Sequence, residues 1–291
     1  MCVTCGCSDT QAAVLVGSGV HTHADGTVHS HDGNDAHSHD DAHAHAQPRR
    51  GFGVADGYAP ACDPLDATTD GSRSHTVTLE RAVLAKNDAL AEKNRAWFAL
   101  RGILALNLVS SPGSGKTTLL ERTIRDLGAE VPMVVIEGDQ ATENDSARIR
   151  AAGARALQVN TGTGCHLEAQ IVGRALDVLA PGDDSVVMIE NVGNLVCPAL
   201  FDLGEHAKVA ILSVTEGDDK PAKYPHMFAA ADLFIINKID LLPYVDFDVD
   251  RCIAHARAVN PGLRAIVLSA RSGENLDEWY DWLRASRTFA T

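Results

Sequence analysis

The sequence predicts an α/β domain, a mostly parallel sheet with helices on both faces, preceded by a disordered tail rich in cysteine and histidine. Three observations predict it. Seven strand-length apolar runs alternate with helical stretches between residues 103 and 268, as expected when helices cross over between parallel strands. A strand, a glycine-containing turn and a helix start follow one another over residues 106–118. The first 75 residues, by contrast, carry almost no periodic apolar pattern.

The division falls between residues 1–75, the tail, and residues 76–291, the folded domain. Residues 8–74 are dominated by Gly, Ala, Asp and His and cannot bury enough apolar surface to offset the entropy of ordering the chain. Inside them runs a loose repeat, His29-Ser30-His31-Asp32, His37-Ser38-His39-Asp40 and His43-Ala44-His45, with eight histidines from His21 to His45. Imidazoles with an ordinary pKa of roughly 6.5 are mostly neutral donors at pH 7, and the aspartates between them add hard oxygen ligands. The tract reads as a store for several ions. Ahead of it, Cys2, Cys5 and Cys7 put three thiols on one short segment, able to converge on Zn²⁺ or square-planar Ni²⁺. No βαβ context surrounds them, and the third cysteine favours metal ligation over redox chemistry.

Order begins near Thr76, where Leu79, Ala82, Val83, Leu90 and Trp97 recur at helical intervals toward Phe98. Strands are expected at 103–109, 133–137, 156–159, 185–190, 209–214, 233–237 and 265–268, and a closing helix at 276–284 with Trp279, Trp282 and Leu283 on its apolar side. No apolar stretch approaches the roughly 20 residues that span a bilayer, and the start lacks a leader pattern. A cytoplasmic location without membrane insertion is expected. The formal net charge of −14 excludes a nucleic-acid partner recognised through a basic surface.

Chemistry enters at Ser110-Ser111-Pro112-Gly113-Ser114-Gly115-Lys116-Thr117-Thr118. Phosphate oxygens need several backbone N–H donors at once. Gly113 and Gly115 allow close approach, Ser114 and Thr118 flank them, Lys116 neutralises charge and Thr117 can hold Mg²⁺. The domain is therefore read as a P-loop NTPase, with Ser110 where the first glycine usually stands. At the end of a later apolar run, Asn237-Lys238-Ile239-Asp240 resembles the guanine-recognition motif of GTPases. The Asp240 carboxylate can accept from N1 and N2 of guanine, whereas adenine would leave it unpaired. Residues 268–273, including Ser269 and Ala270, resemble the loop whose backbone contacts the guanine carbonyl. Two acidic strand ends lie between these motifs. Asp139 is assigned to Mg²⁺, Glu190 with Gly193 to a γ-phosphate-sensing switch, and Glu137 to a solvated loop. No residue stands out as the water-positioning group, so slow intrinsic GTP hydrolysis to GDP is expected.

A further ligand set, Cys165, His166 and Cys197, follows two expected strands on the nucleotide side of the sheet. A metal there would lie beside the loops that respond to γ-phosphate, with water or a second subunit completing the coordination. Taken with Ala85-Lys86-Asn87-Asp88, Asn94-Arg95-Ala96-Trp97-Phe98 and Glu190-Asn191-Val192-Gly193-Asn194-Leu195-Val196-Cys197-Pro198, the chain resembles the HypB family of hydrogenase nickel-incorporation GTPases. The resemblance implies maturation of [NiFe]-hydrogenase and nickel delivery to its large subunit. It also implies a small zinc-containing HypA-like partner and a GTP-linked homodimer with Cys165, His166 and Cys197 near its surface, and it makes the N-terminal cysteines a separate tight nickel site. A urease-serving GTPase and a non-enzymatic nickel store are the competing readings.

Overall fold

The computed structural model describes residues 14–16, 20–22, 28–30, 70–139, 144–161 and 164–290; of residues 14–30, 70–81, 139, 144, 289 and 290 it describes at most the backbone. Cys2, Cys5, Cys7 and most of the histidine tract lie outside the described residues, as does most of the segment expected to be disordered. Within that segment are three short strands, β1 (Val14–Val16), β2 (Val20–Thr22) and β3 (Val28–Ser30), of which β2 and β3 pair with each other.

The long helix α1 (Asp70–Leu100) starts ahead of the expected Thr76. It is followed by β4 (Leu104–Ser110), α2 (Lys116–Leu127), β5 (Met133–Asp139), α3 (Asn144–Ala152), β6 (Arg155–Asn160) and α4 (Ala169–Leu179). Then come β7 (Val186–Gly193), α5 (Cys197–Leu200), β8 (Ala207–Ser213), α6 (Lys220–Lys223), α7 (Pro225–Ala229) and β9 (Leu233–Asn237). A 3₁₀ turn over Ile239–Tyr244, α8 (Val249–Val259), β10 (Arg264–Val267) and α9 (Leu276–Ala290) complete the chain. Each expected strand is present, with ends displaced by up to three residues, the most at β7, which runs on to Gly193.

The sheet runs β1-β6-β5-β7-β4-β8-β9-β10, parallel throughout except that β1 joins the outer edge of β6 antiparallel. Because β4 lies between β7 and β8, the chain leaves it toward one side of the sheet first and the other side later. The carboxyl end of β4 therefore opens into the crevice where such sheets bind ligands.

Successive strand residues face opposite ways, and the two faces bury different helices. Leu106 and Leu108 of β4 and Met188 of β7 pack with Leu119 and Leu120 of α2 and Trp279 and Leu283 of α9. Ala105, Val187 and Ile189 face Phe98 of α1 and Val172 and Leu176 of α4. The alternation continues past the apolar residues, so Glu190 projects toward α2 and Asn191 toward α1 and α4. Among the described residues no helix is long and apolar enough to cross a membrane.

Candidate functional site

The turn after β4 folds back to start α2 at Gly115, whose φ of 97° is left-handed. Only glycine adopts this readily, and a Cβ there would lie 2.5 Å from Asn237 Nδ2. The free amides of the first turn of α2 point out of the loop as anion donors. Lys116 Nζ donates to Ser110 Oγ (2.8 Å), so the serine in the place of the usual glycine holds the lysine at the loop.

Thr117 Oγ1 donates to Glu190 Oε1 (2.8 Å). Glu190 Oε2 is buried with no hydrogen-bond partner among the described residues. Burial pushes the Glu190 carboxyl above the ordinary carboxylate value, against the opposing pull of Lys116 and of the Thr117 hydrogen bond. A divalent cation between Thr117 and Glu190 would satisfy the free oxygen and restore its charge, so the donor set fits Mg²⁺. Glu137 corrects an expectation. It is no solvated loop residue: β5 continues to Asp139, leaving Glu137 2% exposed, opposite Glu190 in the ladder and lining the same cleft. Asp139 ends β5 opposite Asn160, and its side chain lies outside the described residues.

The motif after β9 braces the loop from the other side. Asn237 Nδ2 donates to Ser114 O (2.9 Å), and its Oδ1 accepts from the Lys238 and Ala270 amides (2.8 and 3.0 Å). Lys238, at φ 66°, donates from Nζ to Gly113 O (2.6 Å). Asp240 Oδ1 accepts from Ser269 Oγ (2.6 Å), which orients the carboxylate. The Ala270 N–H is thus engaged by Asn237. Gly193, at the end of β7, lies so near the loop that a Cβ would come within 3.0 Å of Pro112.

Cys165, His166 and Cys197 converge. Their ligand atoms lie within 4.8 Å of one another, with the two Sγ atoms 3.0 Å apart and Cys165 Sγ 3.5 Å from His166 Nδ1. The imidazole lies against Phe201, ring centroids 3.8 Å apart, and burial lowers its pKa to about 4, which keeps it a neutral donor. Two thiols and one imidazole suit Zn²⁺ or Ni²⁺. Cys165 also lines the ≈ 560 Å³ cleft formed by the phosphate loop, Glu137 and Glu190.

A buried polar network that no sequence pattern announces supports this cluster. Asn191 Oδ1 accepts from the Leu167 amide (3.2 Å), next to His166, and Asn191 Nδ2 donates to Asn107 Oδ1 (3.2 Å). Asn107 Nδ2 donates to Glu205 Oε1 (2.9 Å), which lies 3.6 Å from Lys208 Nζ. Lys208 Nζ in turn donates to Pro198 O (2.9 Å) and Phe201 O (3.4 Å), holding the short helix that Cys197 begins. The signal was an asparagine inside the apolar run of β4, but its partners are distant in sequence. Arg148 of α3 was also missed. It lines the cleft and donates to Glu121 (2.7 Å).

Fold and cleft together define a nucleotide-binding P-loop protein with a thiol-rich cluster at one end of its site. Comparison with known proteins narrows this. Residues 104–267 match the family described as CobW/HypB/UreG, nucleotide-binding domain, whose members are P-loop GTPases. The hydrogenase maturation factor HypB of Escherichia coli K12 is 58% identical over 237 residues, 81% of this chain and 79% of its own. That of Azotobacter chroococcum mcd 1 is 53% identical over 290 residues, 99% and 93% of the two chains. A crystal structure of HypB from Helicobacter pylori in complex with nickel aligns with a TM-score of 0.66 at 37% identity, covering 70% of this chain and 95% of that one. The chain belongs to the HypB family of hydrogenase maturation factors.

Proposed function

We propose that this chain is a GTP-hydrolysing nickel metallochaperone that helps insert Ni²⁺ into the large subunit of [NiFe]-hydrogenase, with nucleotide state controlling metal affinity. One observation carries the reading: the phosphate loop and Cys165 line the same cleft. The Helicobacter pylori relative in complex with nickel supports Ni²⁺ as the cargo of Cys165, His166 and Cys197.

The amides of residues 113–118 and the Lys116 ammonium bind the β- and γ-phosphates, and Asp240 selects guanine with Ser269 fixing one of its oxygens. Thr117 and Glu190, with Asp139, would hold Mg²⁺, which neutralises charge on the transferring phosphoryl group. Adjacent residues of β7 carry the coupling. Glu190 answers to Thr117 on one face of the strand, and Asn191 holds the Leu167 amide beside His166 on the other. Displacing Glu190 on γ-phosphate binding therefore shifts Asn191 and the ligand loop with it, and hydrolysis to GDP resets both. In this reading GTP favours a homodimer in the cytoplasm, and a zinc-containing HypA-like protein exchanges nickel with it. Cys2, Cys5, Cys7 and the histidine tract hold a separate reserve.

The test uses the full chain carrying Cys2→Ser, Cys5→Ser, Cys7→Ser and Cys62→Ser, so that thiolate-to-nickel charge-transfer absorption reports only cysteines of the folded domain. Ni²⁺ affinity and oligomeric state are measured with GDP and with a nonhydrolysable GTP analogue. Both are expected to differ between the two nucleotides; identical affinities and identical oligomeric states overturn the coupling.

A further inference from the structure

The asparagines of α1 belong to a sequence motif that neither nucleotide binding nor metal ligation uses. Asn87 and Asn94 lie two helical turns apart on one face of α1, with Ala91 between them and Phe98 beyond, all buried. Each side-chain amide reaches the same two backbone segments. Asn87 Oδ1 accepts from the Ala169 amide (2.9 Å) while its Nδ2 donates to Asp202 O (2.7 Å). Asn94 Nδ2 donates to Ala169 O (2.8 Å) and to Leu203 O (3.0 Å).

Those segments carry the ligands. Ala169 begins α4, immediately after the loop that bears Cys165 and His166. Asp202 and Leu203 follow α5, which bears Cys197, and Phe201, which walls the imidazole. The second segment rests directly on the helix: Gly204 has φ 87°, and a Cβ there would lie 2.4 Å from Ala91 O and 2.7 Å from Asn94 Cβ. Arg95 closes the joint from outside with two hydrogen bonds to the Asp202 carboxylate (2.8 and 2.6 Å). Single planar amides thus bridge the two chain segments from the α1 side, alongside the contacts made by Asn191, Asn107, Glu205 and Lys208.

We infer that Asn87 and Asn94 are positioning residues of the Cys165–His166–Cys197 centre, holding its two ligand-bearing segments at the separation one metal ion requires. The inference rests on the reading of that cluster as a metal site. It makes the helix that follows the tail part of the scaffold of the internal centre. Losing the spacing loosens ligand geometry without touching the phosphate loop, and outer contacts of this kind change metal affinity by about 10–100-fold.

The experiment titrates Ni²⁺ by charge-transfer absorption in the full chain carrying Cys2→Ser, Cys5→Ser, Cys7→Ser and Cys62→Ser. Asn87→Ala and Asn94→Ala are each expected to weaken Ni²⁺ binding about tenfold or more and to leave GDP affinity unchanged. Asn94→Ser, whose hydroxyl can still donate to one carbonyl, is expected to lie between. Arg101→Ala removes the ion pair to Asp183 and the cation over Trp97 at the far end of the same helix; it is expected to lower the melting temperature with no change in Ni²⁺ affinity. Asparagine variants that lower the melting temperature yet bind Ni²⁺ with unaltered affinity and spectrum overturn the inference alone. Absence of any charge-transfer band in the parent overturns the metal reading and the inference with it.

Discussion

Asp240 and Gly115 show how much single positions carry. Ser269 holds one oxygen of Asp240, which on the proposed reading leaves the other to accept from guanine. Asp240→Ala is expected to weaken GDP binding by about 2 kcal/mol, roughly 30-fold, without improving ADP binding; calorimetric titration of both nucleotides checks this. Gly115 combines a left-handed backbone with the close approach of Asn237, so Gly115→Ala strains the turn by roughly 1–2 kcal/mol and pushes Asn237 off Ser114. Nucleotide affinity is expected to fall by at least about tenfold, a loss of 1.4 kcal/mol, read by the same titration. These positions were legible because their chemistry needs fixed residue types at short spacing. Glu137 was misread, because nothing local distinguishes a glutamate that closes a strand at solvent from one inside a strand that runs on, as β5 does to Asp139. Asn107, Asn191, Glu205 and Lys208 were not legible as a set, since their partners come together only when β4, β7 and β8 pair.

Among the elements, the strands could be read because β4, β8 and β9 are buried along their whole length and so are apolar on both faces. The helices were less complete. The closing helix extends to Ala290; the apolar stripe through Trp279 and Leu283 gives way to Ser286 and Arg287 and so falls silent. What that helix does was also hidden. Trp279 Nε1 donates to Thr123 Oγ1 (2.9 Å) and Tyr280 OH to Asp126 Oδ2 (2.7 Å), clamping α9 onto the helix that begins at the phosphate loop. Burial disfavours the Asp126 charge, but hydrogen bonds from Tyr280 and Arg122 outweigh it and hold the carboxyl below its usual 3.8. A lowered carboxylate pKa adds stability that is complete above the unfolded value and is lost as pH falls through the folded one. Tyr280→Phe is thus expected to cost about 1–2 kcal/mol at neutral pH, with the gap to wild type narrowing below pH 3.8. Urea denaturation at both pH values decides it, and a gap that stays constant contradicts the assignment.

For the molecule as a whole, the sheet order puts three chemistries side by side. The phosphate loop follows β4, its neighbour β7 carries Glu190 and Asn191 on opposite faces, and the segments after β6 and β7 supply Cys165, His166 and Cys197. From the sequence, both sites could be placed at the carboxyl edge of the sheet, but not the shared cleft, which depends on β6, β5, β7 and β4 lying in that order. On the proposed reading, a strand with one face toward each site would link nucleotide and metal binding, and linkage is reciprocal. The most direct measurement is therefore the affinity of a nonhydrolysable GTP analogue, relative to GDP, with and without Ni²⁺, in the full chain carrying Cys2→Ser, Cys5→Ser, Cys7→Ser and Cys62→Ser. The account predicts that Ni²⁺ changes this ratio by about fivefold or more, by the same factor that the analogue changes Ni²⁺ affinity, and that Cys197→Ser abolishes the effect. A ratio indifferent to Ni²⁺ would contradict it.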